Sequence, residues 1–197
     1  MKIRALAIVA ALAVPSLAVA DKTDEKTTNT AAATKLADSD VKIVAHLHHV
    51  NQMEIDLGKA AQKNATVGVK TYGQTLVMDH TSNDKDLATY AKTHKLATIP
   101  ADKPDTDADK QDHKDMMAKV AHLKTLKGAD FDKEFLDMMA MGHDKELAKI
   151  DTSIGATTDT DLQTILKATK PVLQRHADTA RDLQKSTTQT SMAPTTK

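Results

Sequence analysis

The stretch VNQMEIDLGKAAQKNATVGVKTYGQTLVMDH, residues 50–80, reads as two amphipathic helices separated by a short turn at 64–66. Apolar residues recur at steps of three and four on both sides of that turn, which places them on one face of each helix. One ionisable side chain interrupts each apolar face, Glu54 in the first helix and His80 in the second. The stretch therefore predicts an antiparallel helical hairpin with polar groups inside its buried face.

The same pattern occurs twice more towards the C-terminus. An apolar stripe over residues 136–150 contains His143, and another over residues 162–183 contains His176. An imidazole or carboxylate on such a face loses its water, which costs on the order of several kcal/mol unless it finds a partner. One such side chain interrupts the apolar face of each of the four helices. This pattern indicates that the four side chains contact each other, or that they bind a metal ion held between them.

The spacing of the helices predicts an all-α fold. Helices are expected from residue 39 or 40 to 63, from 67 to 94, from 130 to 151, and from 160 to 184 with a kink at Pro171. The connection between the two hairpins is extended around Pro100 and Pro104 and then contains a short polar helix over 105–126. Two hairpins joined by a long crossover predict a ferritin-like four-helix bundle over residues 39–184, with one extra helix in the crossover.

The two ends of the chain are predicted to lie outside this bundle. Residues 1–20 combine Lys2 and Arg4, a ten-residue apolar run and the sequence AVA, which is typical of a secretory signal peptide cleaved after Ala20. The apolar run is too short to span a bilayer and none longer follows, so no transmembrane segment is expected. The protein is predicted to be periplasmic or secreted, either free or peripherally associated with the outer membrane. Residues 21–38 and 185–197 are polar, without periodicity, and predict a disordered linker and a disordered tail.

Composition excludes several classes of function. The chain has no cysteine, equal numbers of basic and acidic residues (27 each), and only two tyrosines and two phenylalanines. Nucleic-acid binding is not expected, because it needs a positive patch and usually stacking rings. No nucleophile motif or phosphate-binding glycine loop is present, so no catalytic residue is assigned. Any enzymatic activity would be metal-dependent redox chemistry.

Three imidazoles and a carboxylate are a ligand set for a transition metal. Glu54, His80, His143 and His176 suit Zn(II), Mn(II), Fe(II) or Cu(II), and imidazole does not select among these ions. Two neighbouring carboxylates, Asp79 and Glu146, are expected to be further ligands or acceptors for imidazole N–H groups. The alternative is a metal-free polar network in which Glu54 pairs with protonated histidines, in a structural or protein-binding module of the cell envelope.

Three other metal-site hypotheses arise from the sequence. A ferritin-like di-iron site needs Glu-x-x-His motifs. That motif is absent, because Val77, Ala140 and Leu173 stand three residues before His80, His143 and His176. A di-iron centre is therefore not favoured. Met138, Met139 and Met141 beside His143 predict Cu(I) buffering, since thioethers prefer Cu(I). A further group, His46, His48 and His49, could bind a metal at the surface or be a solvated helix end.

Four sequence blocks resemble those of a bacterial family called domain of unknown function 4142. The resemblance covers about residues 40–184 and depends on Glu54, the Asp79-His80 pair, Phe131-Asp132 with His143, and Pro171 with His176. The blocks are VNQMEIDLGKAAQ (50–62), YGQTLVMDHTSNDKDLATYAKTH (72–94), GADFDKEFLDMMAMGHDKELAKI (128–150) and LKATKPVLQRHADTARDL (166–183). The resemblance implies a ferritin-like fold and a secreted or outer-membrane location more than an activity. The resulting expectation is core metal binding, with a role in envelope stress or metal handling.

Overall fold

The computed structural model describes residues 35–104 and 106–191, and within these ranges the chain is all-helical without strands. The prediction of an all-α protein is therefore confirmed. The predicted signal peptide lies outside the described residues. The helices are α1 (Asp38–Asn64), α2 (Val67–Thr93), α3 (Asp107–Leu123), α4 (Gly128–Ala156) and α5 (Thr160–Ser191). None of these helices has a stretch long and apolar enough to cross a membrane.

Helices α1 and α2 approach each other closely because two glycines face each other. A Cβ atom built on Gly73 would lie 2.6 Å from the Cβ of Ala61 and 2.8 Å from the carbonyl oxygen of Gly58. A Cβ atom on Gly58 would lie 2.6 Å from the carbonyl oxygen of Gly73. Any side chain larger than hydrogen would therefore push the two backbones apart.

A buried carboxylate ties α4 to the turn between α1 and α2. Asp132, which is 1% exposed, accepts hydrogen bonds from the backbone N–H and the hydroxyl of Thr66. Thr66 is the residue that precedes α2, and its own side chain does not cap that helix. The contact joins two segments that are far apart in sequence and sets their relative position at this end of the protein.

Helix α4 is longer than predicted. It continues to Ala156 through the segment from residue 153 that we expected to be a loop. A glycine inside a helix costs only about 1 kcal/mol, and Ile154 packs against the apolar core when the helix continues. Tertiary packing therefore outweighs the weak helix propensity of Gly155.

Helix α5 ends later than predicted. Asp159 accepts hydrogen bonds from the N–H groups of Asp161 and Leu162, so its side chain caps the start of the helix. The helix runs without interruption past Pro171 and includes residues 185–191 of the predicted disordered tail. Adding a turn to an existing helix is far easier than starting one, and Lys185 pairs with Asp182 across that turn.

The N-terminal boundary also differs from the prediction. Leu36, in the segment expected to be a disordered linker, is buried against the apolar cluster that contains Leu162 and Leu166. The apolar side chain loses contact with water there, which accounts for its order. Residues 21–34 lie outside the described part of the chain.

The long helices enclose two separate apolar clusters. Helix α1 packs on α2 and α4, and α5 packs on α4 and α2. One cluster includes Leu76, Phe131 and Phe135, and the other includes Leu87, Ile150 and Leu166. Each long helix also buries polar residues near the junction of the two clusters. These are Asn51 and Glu54 on α1, His80 on α2, His143 on α4, and Thr169 and His176 on α5.

Candidate metal centre

Three histidine rings from three helices meet in this polar layer. His80, His143 and His176 are each only 2% exposed. One nitrogen of each ring lies within 4.8 Å of a nitrogen of the other two rings, and the shortest recorded separation is 3.3 Å, from His143 Nε2 to His176 Nδ1. We call these residues the central cluster.

A hydrogen bond to the backbone fixes the position of the proton on the His143 ring. His143 Nδ1 lies 2.8 Å from the carbonyl oxygen of Met139, one turn earlier in α4. A carbonyl oxygen only accepts, so the Nδ1 atom carries the proton. The Nε2 atom of neutral His143 therefore presents a lone pair to the cluster.

A chain of amides fixes the proton on His80. The Thr169 hydroxyl donates to the carbonyl oxygen of Ile165, so its oxygen accepts from Asn83 Nδ2 at 2.7 Å. The Asn83 carbonyl in turn accepts from Asn51 Nδ2 at 2.8 Å. Asn51 Oδ1 is left as an acceptor for His80 Nδ1, also at 2.8 Å. The Nε2 atom of His80 consequently has a lone pair and no hydrogen-bond partner among the described residues.

His176 cannot satisfy both of its contacts as a neutral ring. Its Nε2 atom lies 2.9 Å from Asp79 Oδ2, and its Nδ1 atom faces the lone pair of His143. A single proton placed on either nitrogen leaves a lone pair facing another lone pair or a carboxylate. Burial lowers the pKa of His176 to about 4, although Asp79 acts in the opposite direction. A second proton is therefore disfavoured at neutral pH, and a cation between the rings would remove the conflict.

The same polar layer also contains the buried carboxyl group of Glu54. It is 5% exposed, and its Oε2 atom has no hydrogen-bond partner among the described residues. Burial raises the pKa of the Glu54 carboxyl, and the nearby His143 lowers it. Glu54 lies outside the group of atoms that share 4.8 Å contacts. In its ionised form Glu54 places a negative charge beside the cluster.

The structure brings together three of the six predicted metal-site residues, the histidines of the central cluster. Asp79 accepts from the ring of His176 and not from that of the adjacent His80. Glu146 is near enough to Glu54 to raise its pKa, but it hydrogen-bonds His46 and no ring of the central cluster.

Asn51, Asn83 and Thr169 were not predicted as site residues. Asn51 is three residues before Glu54, and Asn83 is three residues after His80, so both lie on the same helix faces as the predicted ligands. Amide side chains beside imidazoles on an apolar face are a signal that could have identified them. The spacing alone does not predict which atoms these side chains hydrogen-bond.

The histidines near the start of α1 diverge to separate partners. His46 lies between Asp102 and Glu146, at 2.9 Å from each. His48 hydrogen-bonds Asp84, and the ring of His49 packs against that of His113 with centroids 5.6 Å apart. This arrangement resembles three surface contacts more than a shared metal site.

His46 predicts a pH-dependent contribution to stability. Burial lowers the pKa of His46, but hydrogen bonds and charge from Glu146 and Asp102 outweigh it and raise the pKa above 6.5. The pKa of Glu146 is lowered below 4.5, since its bonds to His46 and Lys149 outweigh burial. The paired state therefore contributes fully between about pH 4.5 and 6.5, and the contribution is lost as pH rises through the folded pKa of His46. At the acidic end it is lost as pH falls through the folded pKa of Glu146.

We expect His46→Gln to lower the free energy of unfolding by about 1–2 kcal/mol near pH 6. The difference from the wild type should shrink towards zero near pH 9, where the wild-type imidazole is neutral. Urea denaturation of both proteins at the two pH values measures this. An equal difference at both pH values would show that the ring acts only through packing.

The methionines near His143 lie in different environments. Met141 is 62% exposed, Met138 is half-buried, and Met139 is buried in the apolar cluster of Phe131 and Phe135. The Cu(I) hypothesis needs sulfur atoms gathered towards His143. The exposure of Met141 does not favour it.

Comparison with known proteins places the chain in a family. The sequence profile described as domain of unknown function (DUF4142) matches residues 25–183. Neither a curated protein nor a solved structure gives a significant match. The matched region contains α1 to α4 and most of α5, including every residue of the central cluster and its amide chain. The chain therefore belongs to the DUF4142 family.

Proposed function

We propose that this protein binds one transition-metal ion in its helical core through His80, His143 and His176. The observation that carries the proposal is the direction of the ring nitrogens. The Nδ1–H groups of His80 and His143 donate hydrogen bonds to acceptors outside the cluster, which leaves the Nε2 lone pairs turned inward. The Nδ1 atom of His176 faces the same space. Three lone pairs in a buried site are what a metal ion requires and what an empty polar network avoids.

The surrounding residues support each proposed ligand. Asp79 accepts a hydrogen bond from the Nε2–H group of His176, which orients the ring and makes Nδ1 a stronger electron-pair donor to a metal. Asn51 accepts from Nδ1–H of His80, and the Met139 carbonyl accepts from Nδ1–H of His143, so the Nε2 atom of each ring is left for the metal. Glu54 offsets the positive charge of the ion. Zn(II), Mn(II), Fe(II) and Cu(II) all accept such ligands, and a bound ion would supply Lewis-acid or redox chemistry.

The helix contacts support a ferritin-like four-helix bundle as the scaffold. Each of α1, α2, α4 and α5 contacts two of the others, and α3 lies in the crossover between the hairpins. Short connections make α1 antiparallel to α2 and α4 antiparallel to α5. We further propose export to the periplasm, on the basis of the signal-peptide pattern in residues 1–20. A role in metal handling at the cell envelope would follow.

A second candidate function is a metal-free structural or protein-binding module of the envelope. The amide chain favours it, because Asn51, Asn83 and Thr169 join α1, α2 and α5 with each recorded donor matched to an acceptor. Such a network can specify helix register without a ligand. It leaves His80 Nε2 and Glu54 Oε2 without partners, and the metal hypothesis gives both atoms a role.

The metal content of the purified protein tests the proposal. Protein purified without chelator should contain close to one equivalent of metal per chain by plasma mass spectrometry. The His143→Ala/His176→Ala variant should lose it while remaining helical by circular dichroism. The matched control His113→Ala/His122→Ala removes two exposed imidazoles and should retain the metal. Metal-free wild type that gains no thermal stability from added Zn, Mn, Fe or Cu would instead support the structural module.

A further inference from the structure

A second group of metal-ligand side chains lies where three helix ends meet. His94 directly follows α2, Asp159 directly precedes α5, and Asp161 lies in the first turn of α5. One potential ligand atom from each lies within 4.8 Å of those of the other two, and His94 Nδ1 is 3.9 Å from Asp159 Oδ2. We call these three residues the terminal cluster. It is distinct from the central cluster, because fourteen residues of helical chain separate His80 from His94, or about 21 Å.

Two buried oxygen atoms, from Asp40 and Tyr90, lie beside the terminal cluster. Asp40, in the first turn of α1, is 6% exposed, and Tyr90, in the last turn of α2, is 5% exposed. Asp40 Oδ1 has no hydrogen-bond partner among the described residues, and the Tyr90 hydroxyl lies within reach of the Asp159 carboxylate. A buried carboxylate oxygen without a partner is costly to keep. Its place beside two further carboxylates indicates that a cation belongs there.

The surroundings of Tyr90 locate its hydroxyl among the carboxylates. Its ring packs against that of His94, with centroids 4.4 Å apart. Burial raises the pKa of Tyr90, and so do the charge of Asp159, a hydrogen bond to its carboxylate, and the nearby charges of Asp40 and Asp161. The hydroxyl is therefore directed towards the terminal cluster, with three carboxylates around it.

The two oxygen atoms of the Asp159 carboxylate have different roles. Its Oδ1 atom accepts from the N–H groups of Asp161 and Leu162, where it caps α5. Its Oδ2 atom faces His94. Three carboxylates gathered around one point repel each other unless a cation lies between them.

We infer that the terminal cluster is a second binding site, for a divalent cation held by His94, Asp159 and Asp161. Asp40 and Tyr90 would complete the site with their buried oxygens. The mixture of imidazole and carboxylate groups suits Mn²⁺ or Zn²⁺. The ion would link the end of α2 to the beginnings of α1 and α5, so its role would be to hold that end of the protein together. The inference does not depend on metal binding at the central cluster.

Paramagnetic broadening by Mn²⁺ tests the second site and locates it. Sub-stoichiometric Mn²⁺ added to the ¹⁵N-labelled protein should broaden the amide signals of residues 94 and 159–162. Broadening by an ion at the central cluster would instead centre on His80, His143 and His176, so the two sites give separate results. Added Zn²⁺ should restore the signals near the terminal cluster by displacing Mn²⁺.

Two variants and one control complete the test. Asp161→Asn and His94→Ala should each weaken Mn²⁺ binding at the terminal cluster by at least about tenfold. Both should leave any broadening at the central cluster unchanged. Asp112→Asn, at an exposed aspartate of α3, should behave as the wild type. Absence of broadening around residues 94 and 159–162, or its persistence in both variants, would overturn the inference.

Discussion

Replacing Gly73 with alanine should destabilise the protein by about 1–3 kcal/mol, the usual cost of overpacking a well-packed core. The added Cβ atom would lie 2.6 Å from the Cβ of Ala61 and 2.8 Å from the carbonyl oxygen of Gly58. Neither atom belongs to a flexible side-chain end, so the helices themselves must separate. The loss should appear even though alanine favours a helix over glycine by about 1 kcal/mol.

Gly142→Ala is the matched control for this prediction. Gly142 lies inside α4, and a Cβ atom built there meets nothing within 4 Å. The substitution should therefore stabilise the protein by about 0.5–1 kcal/mol. Urea denaturation of the two variants and the wild type measures both effects. A gain in stability for Gly73→Ala would show that α1 and α2 are not in close contact at this position.

The Gly73 substitution should also weaken metal binding. Gly58 is one helical turn from Glu54, and Gly73 is two turns from His80. Separating α1 from α2 would move the Asn51 acceptor away from the ring of His80, which it orients at 2.8 Å. A ligand that is not held in position binds a metal more weakly. Titration of the Gly73→Ala variant with Zn²⁺ measures this second effect.

Glu54→Gln should change metal affinity and the stability of the metal-free protein in opposite directions. The Glu54 carboxyl is buried with an unpartnered oxygen, so the neutral amide should raise the free energy of unfolding by about 1 kcal/mol at neutral pH. Because the charge beside the proposed ion is lost, metal affinity should fall by at least about tenfold. Chemical denaturation with chelator and calorimetric titration with Zn²⁺ measure the two effects.

The pKa of Glu54 predicts how this stability difference depends on pH. Burial raises the pKa of the folded carboxyl above 4.5, so the folded state holds its proton to higher pH than the unfolded state does. The wild type therefore loses stability as pH rises from 4.5 through the folded pKa. The advantage of Glu54→Gln should be present at neutral pH and disappear near pH 4, where the wild-type carboxyl is protonated.

The opposite result would support the structural module. If Glu54 pairs with a protonated histidine in a metal-free network, its replacement breaks a buried ion pair. That change typically costs about 3–5 kcal/mol. Glu54→Gln would then destabilise the metal-free protein, and added Zn²⁺ would not stabilise the wild type. Stability with and without metal therefore separates the two functions.

The sequence alone was sufficient to predict the all-α fold and the stripe on which each buried histidine lies. Helical periodicity is a local property, because residues three and four apart share a face whatever the rest of the chain does. The turn at Ala65 and Thr66 and the extended crossover at Pro100 and Pro104 are local features in the same sense. Where the periodicity weakens, as at Gly155 and beyond Gln184, the predicted helix ends were too early.

Helix packing, which the local pattern does not contain, sets which polar atoms meet. Asp79 is adjacent to His80 in sequence but accepts from His176, and Glu146 is one turn from His143 but binds His46. Successive helical residues point about 100° apart, so neighbours in sequence usually contact different helices. The approach of α1 to α2 at Gly58 and Gly73, and the packing of α4 and α5 against them, determine these distances. The periodicity of the sequence therefore determined which side chains are buried, and the separation of the helices decided which nitrogen and oxygen atoms lie close enough to share a proton or a metal ion.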